Sequence, residues 1–463
     1  MKLIVSFCFL VFGLAVFGQN DTAYYSYFGG DKSDQLISVI DNQNGTFSLL
    51  GYTSSIGNGS TDIIVFDIDT NMNLVNQFSV GTPYIEKASG FVKVSNNFFI
   101  SGLTNGWGNG QYEGYLLKTD TIGTILFEKT FGGESWDELL DIVYFNGFIS
   151  ILGYETIKDT SKYLLYAIDT LGNNISKQVL PSDDIIYSSL FSIGDTIFLA
   201  GSKIVNGKQD AYLVSFQIIN NNFKEVFSKT YDFDQNQKIV KGKVIGNEIF
   251  LMGESNFIST NDNYDVYLAS YSVTDGAFNW SSHYGSSTIG NDYSTDIYKY
   301  NNQLYLCGTT NSYGQGQNDF YPLILSETGS FIDGTTFGNE RDEWANSIIK
   351  TPSWLFIFGT SEDDGISYED ILVLKTKRFI PFPPRKYSKT DFLSQNVVNH
   401  IAENKIIKTP QFDEVKVYNL LGQEIYRGSD FSNLYTEKEQ LLIVNFFFKN
   451  QFIESKKILQ TRN

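Results

Sequence analysis

The chain has 463 residues, 42% of them hydrophobic and 16% aromatic, with a formal charge of −18. That is enough apolar material for a large core, and its Tyr, Phe and Gly content favours strands and turns over helices. Strong acidity without a basic stripe before residue 375 argues against nucleic acid as a partner.

The first element is a targeting segment. Lys2 is followed by an apolar stretch from Leu3 to Phe17, too short to span a bilayer comfortably, then Gly18-Gln19 as a cleavage point. Residues 1–18 therefore read as a secretory signal peptide, and no transmembrane span is expected in the mature chain. Cys8 lies inside the signal, preceded by Phe7 rather than the small residue of a lipoprotein site. The mature chain keeps only Cys307, so no internal disulfide can form.

From residue 23 onward one pattern recurs, an apolar run ending in glycine: Gly51, Gly102, Gly153, Gly201, Gly253, Gly308 and Gly359, spaced by 51, 51, 48, 52, 55 and 51 residues. Two residues before each glycine stand Leu49, Ile100, Ile151, Leu199, Leu251, Leu306 and Ile357, a period-two column of buried strand residues. Cys307 falls in the column just before the glycine, which also holds Ser101 and Ala200, so it reads as a packed thiol. About 21 residues before each glycine lies a second landmark (Gly29, Gly81, Gly132, Asp232, Gly285, Gly338), degenerate near Pro181. An acidic residue follows the strand glycine and opens another strand: Asp62, Glu113, Asp210, Asp265, Asp319 and Asp370, with Lys162 in the third copy. Each unit thus holds four short strands divided by turns such as Asn44-Gly45 and Asn146-Gly147.

Four antiparallel strands per ~50 residues make a propeller blade. The fold expected for residues 19–377 is an all-β, seven-bladed β-propeller. Ala23 to Phe28 is a lone fourth-type strand and Ile371 to Thr376 a third-type strand, so the N-terminal strand is expected to complete blade 7 and close the ring.

The spacing Gly132-Gly133-Glu134-Ser135-Trp136-Asp137 then Gly153, with similar openings at Gly30/Asp34 and Gly338/Asp342 and a looser one at Gly285/Asp292, resembles the bacterial secreted β-propeller repeat family. Kelch units have similar length but carry a glycine pair where this chain has one. The resemblance implies the fold and says little about ligand.

Residues 378–395 read as a Pro-rich, basic linker, Arg378 to Arg385 holding three prolines. Beyond it, Val415 to Tyr426 encloses the turn Leu421-Gly422-Gln423. This segment resembles the C-terminal sorting domain of the type IX secretion system, as does Glu454 to Leu459. The resemblance implies a small β-sandwich over 396–463, recognised by outer-membrane export machinery, and a secreted or cell-surface product. The family's Pro-Asn-Pro opening is absent, Asn396 to His400 standing near its place, and its Gly-x-Tyr is replaced by Leu441 to Phe446.

Catalytic material is scarce. His283 sits at a strand position beside a landmark glycine and His400 by the linker, and neither lies in a nucleophile-base motif. Carboxylates cluster at strand entries (Asp137, Glu138, Asp141; Asp342, Glu343), and their recurrence points to capping of turn N–H groups. No cofactor is implied. Calcium has two candidate loops, Asp69-Thr70-Asn71-Met72-Asn73 and Glu362-Asp363-Asp364, neither with EF-hand spacing. The loops at 105–112 and 311–318 combine aromatic and amide side chains, making Trp107, Tyr112, Tyr313 and Gln315 candidate ligand contacts for a glycan or peptide. The expectation is a non-catalytic binding or display propeller. A carbohydrate-active enzyme using carboxylates on the propeller face, and a purely structural surface module, are the alternatives.

Overall fold

The computed structural model describes residues 23–108, 111–157, 160–233, 235–256, 263–285, 290–362 and 368–377, and the backbone of stretches 400–401, 414–419, 424–428, 440–448 and 451–460. The expected signal peptide, the linker and the Leu421-Gly422-Gln423 turn lie outside these residues. Among the described residues, no helix is long and apolar enough to cross a membrane.

Seven antiparallel sheets follow one another along the chain. Their first strands run Asp34–Asp41, Glu86–Val94, Asp137–Phe145, Ile185–Ile193, Gln237–Ile245, Asp292–Tyr300 and Glu343–Lys350. Each first strand contacts those of the two neighbouring sheets, and blade 7 touches blade 1, so the ring is closed with the first strands innermost. The chain forms a seven-bladed β-propeller. Blade 7 takes its outermost strand from the N-terminus: Ala23–Phe28 pairs antiparallel with the third strand Glu369–Thr376, from Ala23 opposite Thr376 to Phe28 opposite Ile371.

Both faces of each blade are covered by neighbours, which explains why the glycine-ending runs are apolar in adjacent columns. Alternate residues enter different interblade cores. Leu49 and Ile64 pack with Phe358 and Ile371 of blade 7, while Leu50 and Ile63 pack with Phe98 and Ile100 of blade 2. Seven such clusters occupy the seven junctions, and burying a residue of this size stabilises the fold by about 1.5–3 kcal/mol. The third-strand column Ile64, Tyr115, Leu164, Tyr212, Tyr267, Tyr321 and Leu372 is buried throughout.

The repeated glycines have a common cause. In every blade the first and second strands are joined with a β-bulge, which skips Ile37, Ser89, Leu140, Ser188, Val240, Thr295 or Asn346. The residue before each bulge lies opposite the repeat glycine, as Leu36 lies opposite Gly51 and Ala88 opposite Gly102. In six blades the carbonyl oxygen one residue earlier fills the space a Cβ would need: Gln35 at Gly51, Lys87 at Gly102, Ile186 at Gly201, Lys238 at Gly253, Tyr293 at Gly308 and Trp344 at Gly359. At Gly153 the closest atoms belong to the Tyr166 ring, 3.1 Å away, so that blade is less crowded.

Blade 6 departs from the four-strand expectation. Its third strand is split into Asp319–Phe320 and Leu323–Ser326, because Pro322 has no N–H to give the ladder.

The C-terminal unit, taken by itself, contains a four-stranded antiparallel sheet in the order 424–428, 414–419, 440–448, 451–460. The strands on either side of the Leu-Gly-Gln turn are hydrogen-bonded partners.

Candidate functional site

One rim of the propeller carries the strand-opening carboxylates. Asp34, Glu86, Asp137, Asp292 and Glu343 open first strands, and Asp62, Glu113, Asp265 and Asp319 open third strands, while Asp210 is the third residue of the strand Lys208–Ile219; all are buried. The first-strand acids cap the turn before them at a fixed offset. The N–H groups of Gly30, Thr82, Gly133 and Asn339 donate to the carboxylates four residues later, on Asp34 (2.8 Å), Glu86 (2.6 Å), Asp137 (2.7 Å) and Glu343 (3.2 Å). Their own N–H groups reach back to the preceding blade: Glu86 to the Thr61 carbonyl (2.8 Å), Asp137 to Tyr112 (2.9 Å), Asp292 to Tyr264 (2.7 Å) and Glu343 to Asn318 (2.9 Å). The recurrent acid therefore rivets blade to blade, in keeping with the capping role expected for it. In blade 7 this acid is Glu343. Asp342, paired with Gly338 on sequence, stays half-exposed and accepts the Asn318 N–H at 2.7 Å. The offset is counted from the turn donor Asn339, one residue beyond the landmark glycine.

The four candidate contacts fall in two blades, Trp107 and Tyr112 before the third strand of blade 2 and Tyr313 and Gln315 before that of blade 6. Trp107 is half-buried and stacks on Tyr115 at 5.1 Å; Tyr313 is 6% exposed and lies 5.8 Å from Tyr321. Each ring sits eight residues before the tyrosine it covers, and is followed by a positive-φ glycine, Gly108 or Gly314, whose missing Cβ makes room for the buried Glu113 or Asp319. Ile56 and Gly57 repeat the arrangement before Asp62 and Ile64. Gln315 is exposed, and its N–H donates to Asp319 at 3.3 Å. Tyr112 pairs with Trp136 of the next blade, ring centres 4.2 Å apart, and Trp136 is 45% exposed. Trp136 stands inside the glycine landmark, where the motif alone does not distinguish it.

A second set of residues on this rim was not apparent from the motif. Immediately after the first residue of each innermost strand come Gln35, Lys87, Glu138, Ile186, Lys238, Tyr293 and Trp344. Each is exposed or half-exposed between two buried neighbours. They form a collar around the channel mouth, and Gln35, Lys87, Glu138 and Lys238 are tied to neighbouring side chains. Tyr52 donates its hydroxyl to Gln35, whose amide reaches Glu369 of blade 7. The Lys87 ammonium lies 4.9 Å from the Tyr52 ring centre, and Lys238 pairs with Glu254 at 2.8 Å. Burial raises the Glu138 carboxyl above its ordinary range, opposed by a hydrogen bond from the Trp136 side chain. Burial likewise raises the Tyr293 phenol.

Deeper in the channel, Asp141 accepts the Leu190 N–H of blade 4 (2.7 Å) and is pushed up to about 6, chiefly by burial. Asp296 accepts the Ile348 N–H of blade 7 (3.2 Å) and pairs with Lys243 (2.8 Å). These channel carboxylates are engaged in interblade bonds. His283 is a buried strand residue, 5.3 Å from the Tyr267 ring. Cys307 is wholly buried, its thiol pushed up to about 12 by burial above all. At the first calcium candidate, Asp69 accepts the N–H groups of Asn71 and Asn73 and the Asn73 amide, as Asp169 does from its own turn. Glu362 of the second closes its strand, and Asp363 and Asp364 lie outside the described residues. Among the described residues no group of three or more His, Cys, Asp or Glu is placed to hold a metal ion.

No protein-family model matches the chain, and no curated protein matches it. Solved structures do. A phage phi92 endosialidase matches over 96% of this chain and 89% of its own, at 9% identity and a TM-score of 0.45. The β-propeller domain of the Trilobed protease from Pyrococcus furiosus, described as having an open velcro topology, matches over 74% and 93%, at 9% identity and 0.43. The Pyrococcus horikoshii acylaminoacyl peptidase matches over 89% of this chain and 57% of its own, at 10% identity and 0.41. The class that the strand pairings define is the seven-bladed propeller with four-stranded blades.

Proposed function

We propose that this chain is an exported, non-catalytic binding propeller whose ligand, a glycan or a protein, seats on the collar at the channel mouth. One observation carries the reading. The bulge and the glycine recur in every blade and five of the seven opening residues are acidic, whereas the collar position between them differs in every blade but two. That position stands outside the interblade cores, and four of its side chains, Gln35, Lys87, Glu138 and Lys238, are held by contacts with neighbouring side chains. Ordering long side chains costs entropy, so a pre-ordered collar suits recognition better than an idle surface. The aromatic and charged mixture, Trp344 and Tyr293 beside Lys87, Lys238 and Glu138, supplies both platforms and hydrogen-bonding groups. The likeness of 396–463 to a sorting domain, and the signal-like residues 1–18, support delivery to the cell surface or medium through type IX-like outer-membrane machinery.

The purified protein on glycan and peptide arrays tests this. Binding that Trp344→Ala and Lys87→Ala each weaken about tenfold or more, with melting temperatures unchanged, is the expected result. Glycan cleavage would favour the carbohydrate-active alternative, and absence of any binding the structural module.

A further inference from the structure

Burying one carboxylate beside another is opposed twice, by lost hydration and by like-charge repulsion. The blade 5–6 junction presents this arrangement in its barest form. Asp265 opens the third strand of blade 5 and Asp292 the first strand of blade 6, both 0% exposed. Gly285 lies over the two: a Cβ there would collide with Asp265 Oδ1 and meet Asp292 Oδ2 at 2.7 Å. The carboxylates therefore face one small space. Their surroundings differ. The Thr310 hydroxyl donates to Asp292 Oδ1, while among the described residues no donor reaches either oxygen of Asp265. The titratable groups nearby are the phenols of Tyr321 and Tyr313 from blade 6, Tyr284 at the end of the fourth strand of blade 5, and His283, packed on the Tyr267 ring.

We propose that Asp265 and Asp292 hold one proton between them at neutral pH, making this junction a clasp that alkaline pH loosens. Asp292, already served by a hydroxyl donor, is the ionised acceptor. Asp265, with no donor among the described residues, keeps the proton and donates it in a hydrogen bond to Asp292. Burial, and the charge of Asp292 after it, push Asp265 up to about 8. The unfolded chain releases the same proton near 4. The clasp is thus fully present below about pH 4, and its contribution is lost progressively as pH rises toward 8. The next junction repeats the geometry, with Asp319 and Glu343 both against Gly338. There burial foremost, then Asp319, push Glu343 up to about 8 against the Asn339 N–H.

The experiment is a melting series from pH 5 to 9 on the full chain, its Asp265→Asn and Asp292→Asn variants, and the exposed control Asp31→Asn. The carboxamide brings its own N–H and needs no shared proton. Wild type and control should lose roughly 2 °C per pH unit between pH 5 and 8 beyond either clasp variant. Both clasp variants should melt higher than wild type at pH 8. Infrared spectra of the unmutated protein provide a test free of any folding defect, through a protonated-carboxyl C=O band at pH 7 that disappears above pH 9. Parallel slopes in all four proteins, or no such band, would overturn the proposal. So would a calcium-induced rise in melting temperature at pH 8 that Asp265→Asn abolishes, because a cation would then occupy the proton's place.

Discussion

Replacing Gly102 by alanine, beside the same change at Gly153, tests why the chain repeats glycine seven times. A methyl at Gly102 lands on the Lys87 carbonyl oxygen, with the Lys87 carbonyl carbon at 2.9 Å and Ala88 Cα at 3.0 Å. All three are main-chain atoms of the innermost strand at its bulge, so no side-chain rotation relieves the contact. Overpacking of this kind costs about 1–3 kcal/mol. Removing a glycine from the unfolded chain returns about 0.4–1 kcal/mol. A net loss of roughly 1–2 kcal/mol follows for Gly102→Ala. At Gly153 the methyl meets Tyr166 Cε2 at 3.1 Å and Leu139 Cδ2 at 3.3 Å, side-chain atoms that can give way. Its net effect should lie within about 0.5 kcal/mol of zero. For a propeller of this size the difference amounts to roughly 1–3 °C in melting temperature, readable by calorimetry or by circular dichroism at fixed scan rate. If Gly153→Ala is as damaging as Gly102→Ala, or both are silent, the bulge is not what demands the glycine.

Three other outcomes follow from the same geometry. Deleting residues 23–28 leaves Glu369–Thr376 as an unpaired edge, and the truncated protein should associate at concentrations where the full chain stays monodisperse by light scattering. Cys307 should resist a thiol reagent in the native state and react within the dead time once the protein is unfolded in guanidinium; rapid native labelling would mean that the blade 6–7 core opens readily. The collar substitutions Trp344→Ala and Lys87→Ala should weaken ligand binding while leaving the melting temperature within about 1 °C of wild type, since neither side chain belongs to an interblade core.

The architecture was readable in the sequence because packing imposes the same demand seven times. The columns at Leu49 and Ile64 had to be apolar in every copy, and the lone strand at Ala23–Phe28 announced itself by being out of phase with what followed. What the period could not convey was direction at the rim. Trp107 and Tyr313 look like ligand platforms in a Gly- and Asn-rich loop, but the glycine after each lets the loop fold back, and the ring covers the third-strand tyrosine. Trp136 was hidden for the opposite reason: it lies inside a landmark, and only the pairing across blades shows that it stands exposed on Tyr112. The collar residues do not repeat, so the period leaves them without a signal; their variety shows at the position following each strand-opening residue. In a ring of near-identical blades, packing explains what recurs. The side chains left for recognition are therefore those that differ from blade to blade while sharing one place in the fold, and Lys87, Glu138, Tyr293 and Trp344 meet both conditions.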